Sequence, residues 1–201
     1  MIVFGITGPT GSGKTTALNC IAKRGGAVLD LDAVYHQLLK TDKNLIAELD
    51  ARFPGVIVDG TLDRKALGNI VFADQKALLD LNAITGKYIM AETDRLLAQA
   101  RQEGRPMAAI DAINLLEGDL PFRCNHVIAV TAPEEIRVQR LMARDNISEE
   151  YARLRISAQP PNEYYEEVCD YTLRNGIYTQ EEFARHCDAL IDELMAEEKG
   201  N

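Results

Sequence analysis

The chain has 201 residues, 46% hydrophobic and 26% charged, the size and composition of a globular domain that can build its own core. Its 22 Lys and Arg against 31 Asp and Glu leave a net charge of −9, which argues against broad phosphate-neutralising contact with nucleic acid. No apolar run approaches the ~20 residues of a membrane span. Residues 1–7 carry no basic leader, so no secretory signal and no membrane partner are expected, and the cytoplasm is the expected compartment.

In chain order, apolar runs alternate with helical periodicities, the pattern of a parallel α/β sheet. Residues 2–7 form an apolar run leading into glycines and read as the first strand. Residues 15–24 follow as a helix with Ala17, Leu18, Ile21 and Ala22 on its apolar face. Further strands are expected at 27–31, 107–111 and 126–131, with a short fifth at 171–173. Pro133, just after the fourth, suits the first position of a helix. A final amphipathic helix, about 180–198, carries the stripe Phe183, Cys187, Leu190, Ile191 and Leu194. Two mostly helical stretches, 33–103 and 134–168, interrupt the alternation where a kinase places its acceptor-binding region and its lid. The expectation is one domain over 1–201, with a core of about 1–32, 104–133 and 169–201.

Cys20, Cys124, Cys169 and Cys187 lack metal-ligand spacing, and Cys20 and Cys187 fall on apolar stripes as core thiols. His36, His126 and His186 are isolated and support no metal cluster. Nothing in the sequence sets an oligomeric state.

The first strand runs into Gly8-Pro9-Thr10-Gly11-Ser12-Gly13-Lys14-Thr15, which fits G-x-x-x-x-G-K-[ST] at every defined position. Glycines let the chain turn so that successive N–H groups converge on an anion, and the next helix adds its positive end. Lys14 can reach the β- and γ-phosphates, and the Thr15 hydroxyl can ligate Mg²⁺. Thr16, where G-x-G-x-x-G requires glycine, speaks against a dinucleotide fold. The D-x-x-G and N-K-x-D of a GTPase are absent too, leaving a small-molecule kinase or an ATPase. The short chain has no second domain to drive, which favours the kinase.

Phosphoryl transfer needs a metal-side carboxylate, a group that orients or deprotonates the acceptor hydroxyl, and cations on the moving phosphate. In open α/β sheets these gather beyond the carboxyl ends of the strands. Asp30 and Asp32 end the second strand. Asp32, placed just before the first helix of the long insertion, reads as base or orienter, as helix cap, or as both. Asp111 ends Met-Ala-Ala-Ile-Asp, which resembles a metal-binding Walker B strand and also arises by chance. Arg137, Arg140 and Arg144 fall at i, i+3 and i+7 on one helical face, as a phosphate clamp requires, with Arg140 and Arg144 the chosen pair. The other reading of this arginine-rich segment is a solvated face laced with i,i+4 ion pairs.

Beyond the generic loop, later motifs carry a resemblance to the dephospho-coenzyme A kinase family. They are Asp30-x-Asp32, Asp59-Gly60-x-Leu62-Asp63-Arg64-x-x-Leu67 with Val71-Phe72, and Leu81-Asn82-x-Ile84. Gln139-Arg140-x-Met142-x-Arg144-Asp145, Arg155-Ile156-x-Ala158-Gln159, Asp170 and Asn175-Gly176 follow in the same order. The resemblance implies a P-loop NTPase three-layer fold with a five-stranded parallel sheet, a helical acceptor-binding insertion and a helical lid. It implies ATP- and Mg²⁺-dependent transfer to the ribose 3′-hydroxyl of dephospho-coenzyme A. On matching positions, Asp32 becomes the acceptor-side base, Lys14 and Thr15 hold phosphates and metal, Arg140 belongs to the lid, and Asn175 falls near the ATP base. Unaided, Arg174-Asn175-Gly176 reads as a turn.

Three departures lie on the acceptor side: His36 in place of Arg, Gly86-Lys87 in place of His-Pro, and Ile113-Asn114-Leu115-Leu116-Glu117 in place of Pro-Leu-Leu-x-Glu. A histidine, ordinarily titrating near ~6.5, is a weak phosphate ligand at neutrality. The alternatives to dephospho-coenzyme A phosphorylation are therefore a kinase of another nucleoside or nucleotide, and a catalytically inactive ATP-binding homologue.

Overall fold

The computed structural model describes residues 1–58 and 60–200; Asp59, which opens one of the motifs above, lies outside the described residues. The chain divides into two compact units, one of residues 1–29 with 100–201, the other of residues 30–99.

The first unit is built on strand β1 (Ile2–Thr7), whose six residues are all buried. A strand covered on both faces carries a continuous apolar run, and β-branched and aromatic side chains suit its pleat. With β2 (Ala27–Asp30), β5 (Met107–Asp111), β6 (His126–Thr131) and β7 (Tyr171–Arg174), it forms a five-stranded sheet of order β2-β5-β1-β6-β7. β1 pairs in parallel with β5, Ile6 opposite Asp111, and with β6, Phe4 opposite His126; β7 pairs in parallel with β6. Since β1 is central, both the loop after it and Asp111 at the end of β5 emerge at the carboxyl edge.

Helix α1 (Lys14–Lys23) packs on helix α9 (Gln180–Gly200) and the sheet, burying Phe4, Ile21, Phe183, Cys187 and Ile191 in one core. Cys20 and Cys187 are buried thiols of that core, as their stripes indicated. Arg24, closing α1, binds Asp188 and Asp192 of α9. Helices α6 (Glu134–Asp145) and α7 (Glu149–Ser157) share a smaller core of Val138, Leu141, Ala152 and Ile156, and α8 (Asn162–Val168) leads into β7.

The second unit comprises α2 (Leu31–Thr41), α3 (Lys43–Arg52), a hairpin of β3 (Ile57–Val58) and β4 (Thr61–Leu62), α4 (Arg64–Ala73) and most of α5 (Gln75–Gln102). Leu38, Leu45, Leu49, Phe53 and Leu67 form its core. Asp30, Asp42 and Asp63 cap α2, α3 and α4, each accepting two backbone N–H groups, so part of the acidic surplus is helix-starting chemistry.

Two expectations are corrected. The second strand ends at Asp30, and Asp32 neither precedes nor caps the helix: Asp30 is the cap, accepting from the Asp32 and Ala33 N–H groups, each at 3.0 Å. The stretch 33–103 also contains the antiparallel hairpin, whose two-residue strands are too short to show alternation. Among the described residues, no helix is long and apolar enough to cross a membrane.

Candidate active site

β1 delivers the chain into the Gly8–Gly13 loop, and α1 begins at Lys14 with Gly13 as its N-cap. Gly8 has φ of 134°, and a Cβ there would stand 2.1 Å from the Val130 carbonyl oxygen, so the loop can lie against β6 only as glycine. Gly13 has φ of 107°, and a Cβ there would meet the Asn175 side-chain nitrogen at 2.2 Å. The Lys14 ammonium folds back over the loop and donates to the Gly8 carbonyl at 2.7 Å and the Pro9 carbonyl at 3.2 Å.

Above the loop opens a cavity of about 650 Å³ bordered by Gly13, Lys14, Thr15, Asp111, Arg140 and Arg144, with Thr10 and Gly11 on the loop side. This lies within the usual ~300–1,000 Å³ of small-molecule sites. Five residues chosen separately from the sequence as lysine, metal ligands and clamp thus line one volume. Thr16 borders a neighbouring hollow with Asn19 and Lys23. Ser12 is fully buried, and its carbonyl accepts the bonds described next.

The loop's carbonyls are held by side chains of later elements. Arg137, 3% exposed, donates from Nε to the Thr10 carbonyl at 2.9 Å. Arg140 donates to the Gly11 and Ser12 carbonyls, each at 3.2 Å, and to the Asn175 side-chain oxygen at 3.1 Å. The Asn175 amide nitrogen donates to the Ser12 carbonyl at 2.8 Å. Gln159, between α7 and α8, accepts the Thr10 N–H at 2.8 Å. Four side chains therefore fix the loop from outside, while its cavity side stays open.

Position on the helix face did not reveal these roles. Arg137 is inside the protein, bonded to the loop backbone, and is not among the residues that line the cavity. Asn175, 4% exposed, has both ends of its amide engaged by the loop and Arg140. Gln159 appears in a family motif without an assigned task; its signal is only that motif.

The electrostatics suit an anion. Burial lowers the Lys14 pKa first, Asp111 opposes that by attraction, and the nearby positive charges of Arg137 and Arg144 lower it further. Burial likewise lowers the pKa of Arg137 and Arg140. A polyanion in the cavity relieves the penalties on Lys14 and Arg140, which line it. Arg144 differs: Asp145 holds it through two hydrogen bonds of 2.7 and 2.9 Å, which raise its pKa, and Asp145 also accepts from Arg155. The solvated-face reading holds for Arg153, which pairs with Glu134, Glu135 and Glu149.

Asp32 belongs to the other unit. It lies in the first turn of α2, and its pKa is raised by burial first and by the Asp30 carboxylate second, with His36 opposing. Of the acceptor-side departures, His36 accepts from Arg64, while Lys87 pairs with Glu48 at 2.5 Å. Ile113 is 81% exposed.

Comparison with known proteins agrees with the motifs. The family model of dephospho-CoA kinase matches residues 2–181. A dephospho-CoA kinase of Mesorhizobium japonicum is 36% identical over 197 residues, covering 98% of each chain. One of Corynebacterium jeikeium is 38% identical over 160 residues, 79% of this chain and 82% of its own. A Thermus thermophilus crystal structure superposes with a TM-score of 0.76 at 34% identity, covering 96% of this chain and 97% of that one. The chain belongs to the dephospho-CoA kinase family, and it is a kinase of coenzyme A biosynthesis built on the P-loop kinase fold.

Proposed function

We propose that the protein transfers the γ-phosphoryl group of ATP to the ribose 3′-hydroxyl of dephospho-coenzyme A, giving coenzyme A and ADP. The observation that carries this reading is the single cavity lined by the glycine-rich loop, Lys14, Thr15, Asp111, Arg140 and Arg144. Family membership supplies the acceptor.

Catalysis of this kind is positioning plus electrostatics. The loop N–H groups and the α1 N-terminus receive the ATP phosphates. Lys14 leaves the Gly8 and Pro9 carbonyls and turns to the β- and γ-oxygens. Thr15 and Asp111 offer a hydroxyl and a carboxylate on the same cavity, the oxygen donors that Mg²⁺ takes, and they would hold that ion. When bound, it supplies charge neutralisation at the phosphates.

Arg140 and Arg144 add cationic charge at the cavity wall, Asn175 keeps Arg140 and Ser12 in place, and Arg137 and Gln159 brace Thr10. Asp32 takes the proton of, or orients, the attacking hydroxyl. Its raised pKa brings a carboxylate nearer to the range in which a base works at neutral pH. Residues 134–168 serve as the lid, whose closure keeps water from the γ-phosphate. The four free thiols suit the reducing cytoplasm, where we place the enzyme.

The test is ADP formation from Mg·ATP with and without dephospho-coenzyme A, beside a panel of nucleosides and nucleoside monophosphates. Stimulation by dephospho-coenzyme A alone is the expected result. Turnover with another acceptor and none with dephospho-coenzyme A would keep the kinase and overturn the substrate.

A further inference from the structure

Helix α2 carries Asp32, Tyr35 and His36 at i, i+3 and i+4, which places them on one face. His36 meets a residue from the start of α4: the Arg64 guanidinium lies 2.8 Å from His36 Nδ1. A guanidinium only donates, so the imidazole accepts at Nδ1 and carries its own proton on Nε2. The rings of Tyr35 and His36 stand 5.9 Å apart beside this contact.

Arg64 is held differently from the other arginines of its unit. Arg52 pairs with Asp80 and Arg95 with Glu92, both at 2.7 Å. No ion pair engages Arg64 among the described residues. The adjoining Asp63 carboxylate accepts the Lys65 and Ala66 N–H groups as the α4 cap. Arg64 is exposed at the first position of α4, where the helix dipole disfavours a cation. Among the described residues the fold thus sets this guanidinium against an imidazole nitrogen where Arg52 and Arg95 meet carboxylates, leaving its positive charge for something else.

We propose that Arg64 binds the diphosphate of the acceptor and that His36 is the positioning residue that presents it. This rests on the acceptor reading given above. In dephospho-coenzyme A the 5′-diphosphate and the 3′-hydroxyl belong to the same ribose, so a base for one and a cation for the other must be neighbours. Asp32 and the Arg64 contact at His36 are one helical turn apart on α2, which meets that requirement. A fixed guanidinium fork also suits phosphate oxygens, and holding it in advance removes ordering cost at binding.

The test is steady-state kinetics with both substrates varied, for the wild type, His36→Leu, His36→Asn, Arg64→Ala and the double variant His36→Leu/Arg64→Ala. Arg64→Ala should raise KM for dephospho-coenzyme A about 10- to 100-fold, the scale of a lost charge-assisted hydrogen bond. His36→Leu should raise it about 3- to 10-fold, the scale of one side chain left to be ordered. Both should leave KM for ATP within about twofold, since a lost anchor for one substrate does not touch the other. His36→Asn, whose amide oxygen can accept near the Nδ1 position, should recover most of the loss. The double variant should be no worse than Arg64→Ala, because His36 acts through Arg64.

Additive penalties in the double variant, or an unchanged acceptor KM in Arg64→Ala, would overturn the proposal while the kinase reading stands. A wild type that does not turn over dephospho-coenzyme A would overturn the acceptor reading and this inference together. Melting temperatures of all variants separate lost folding from lost binding, and exposed Arg64 provides the variant least exposed to folding failure.

Discussion

Arg140 and Asn175 hold each other at 3.1 Å, and both also hold the Ser12 carbonyl. The cavity-wall arginine and the turn after β7 are therefore joined through the outer side of the phosphate loop. Asn175→Ala removes the donor to Ser12 and the acceptor for Arg140. It should raise KM for ATP about tenfold, since a stranded polar group costs roughly 1–3 kcal/mol. The KM for dephospho-coenzyme A should stay within about twofold, as the acceptor keeps its own contacts. Steady-state kinetics with each substrate varied checks this; a change confined to the acceptor would contradict it.

Gly13→Ala should do the same damage through the same amide. The new methyl group would meet the Asn175 side chain, and φ of 107° is a conformation that alanine adopts only under strain. Calorimetric titration with ATP should show affinity reduced at least about tenfold, the combined scale of strain and a displaced amide. Unaltered affinity would mean that the loop tolerates loss of this contact.

Arg137 of α6 should matter to stability more than Arg153 of α7. It is buried, and its bond to Thr10 joins α6 to the loop. Arg137→Ala leaves a cavity and an unbonded carbonyl, a loss of roughly 2–4 kcal/mol. Arg153→Ala removes only exposed ion pairs and should cost about 0–1 kcal/mol. Chemical denaturation of the two variants side by side checks the ordering; equal stabilities would contradict it.

The pH profile should report Asp32. The base acts ionised, so activity is lost as pH falls through its pKa, which burial and Asp30 have raised. The acid limb should therefore lie above that of an ordinary aspartate. Asp30→Asn keeps an N-capping side chain and removes the like charge, so the limb should move to lower pH. Asp32→Asn should spare ATP affinity and lower kcat about 10²–10⁴-fold. An acid limb that Asp30→Asn does not move would take Asp32 out of the rate-governing ionisation.

Those predictions rest on features of unequal visibility in the sequence. The loop was legible because phosphate binding needs glycines and a lysine at fixed spacing, and the three inner strands β5, β1 and β6 because buried parallel strands are unbroken apolar runs. Asp30 and Asp32 were not separable: both are carboxylates at a strand end, and which one caps depends on a one-residue boundary. The β3–β4 hairpin has too few residues for a period. Arg137 and Arg140 share a helical face, but the tertiary fold sends one inside and leaves the other at the cavity wall. The bond of Gln159 to Thr10 and that of His36 to Arg64 span 149 and 28 residues, distances over which local pattern carries no information.

Transfer of phosphate to the acceptor's ribose is the central claim, and the product itself tests it most directly. The enzyme would be incubated with Mg·ATP and dephospho-coenzyme A, and the product analysed by mass and phosphorus NMR, with Lys14→Ala in parallel. The account predicts a product heavier by one phosphate, carried as a monoester on the ribose 3′-oxygen, and loss of both ATP binding and product formation in Lys14→Ala. Conversion of ATP to ADP and inorganic phosphate with no new monoester, or full activity of Lys14→Ala, would contradict it.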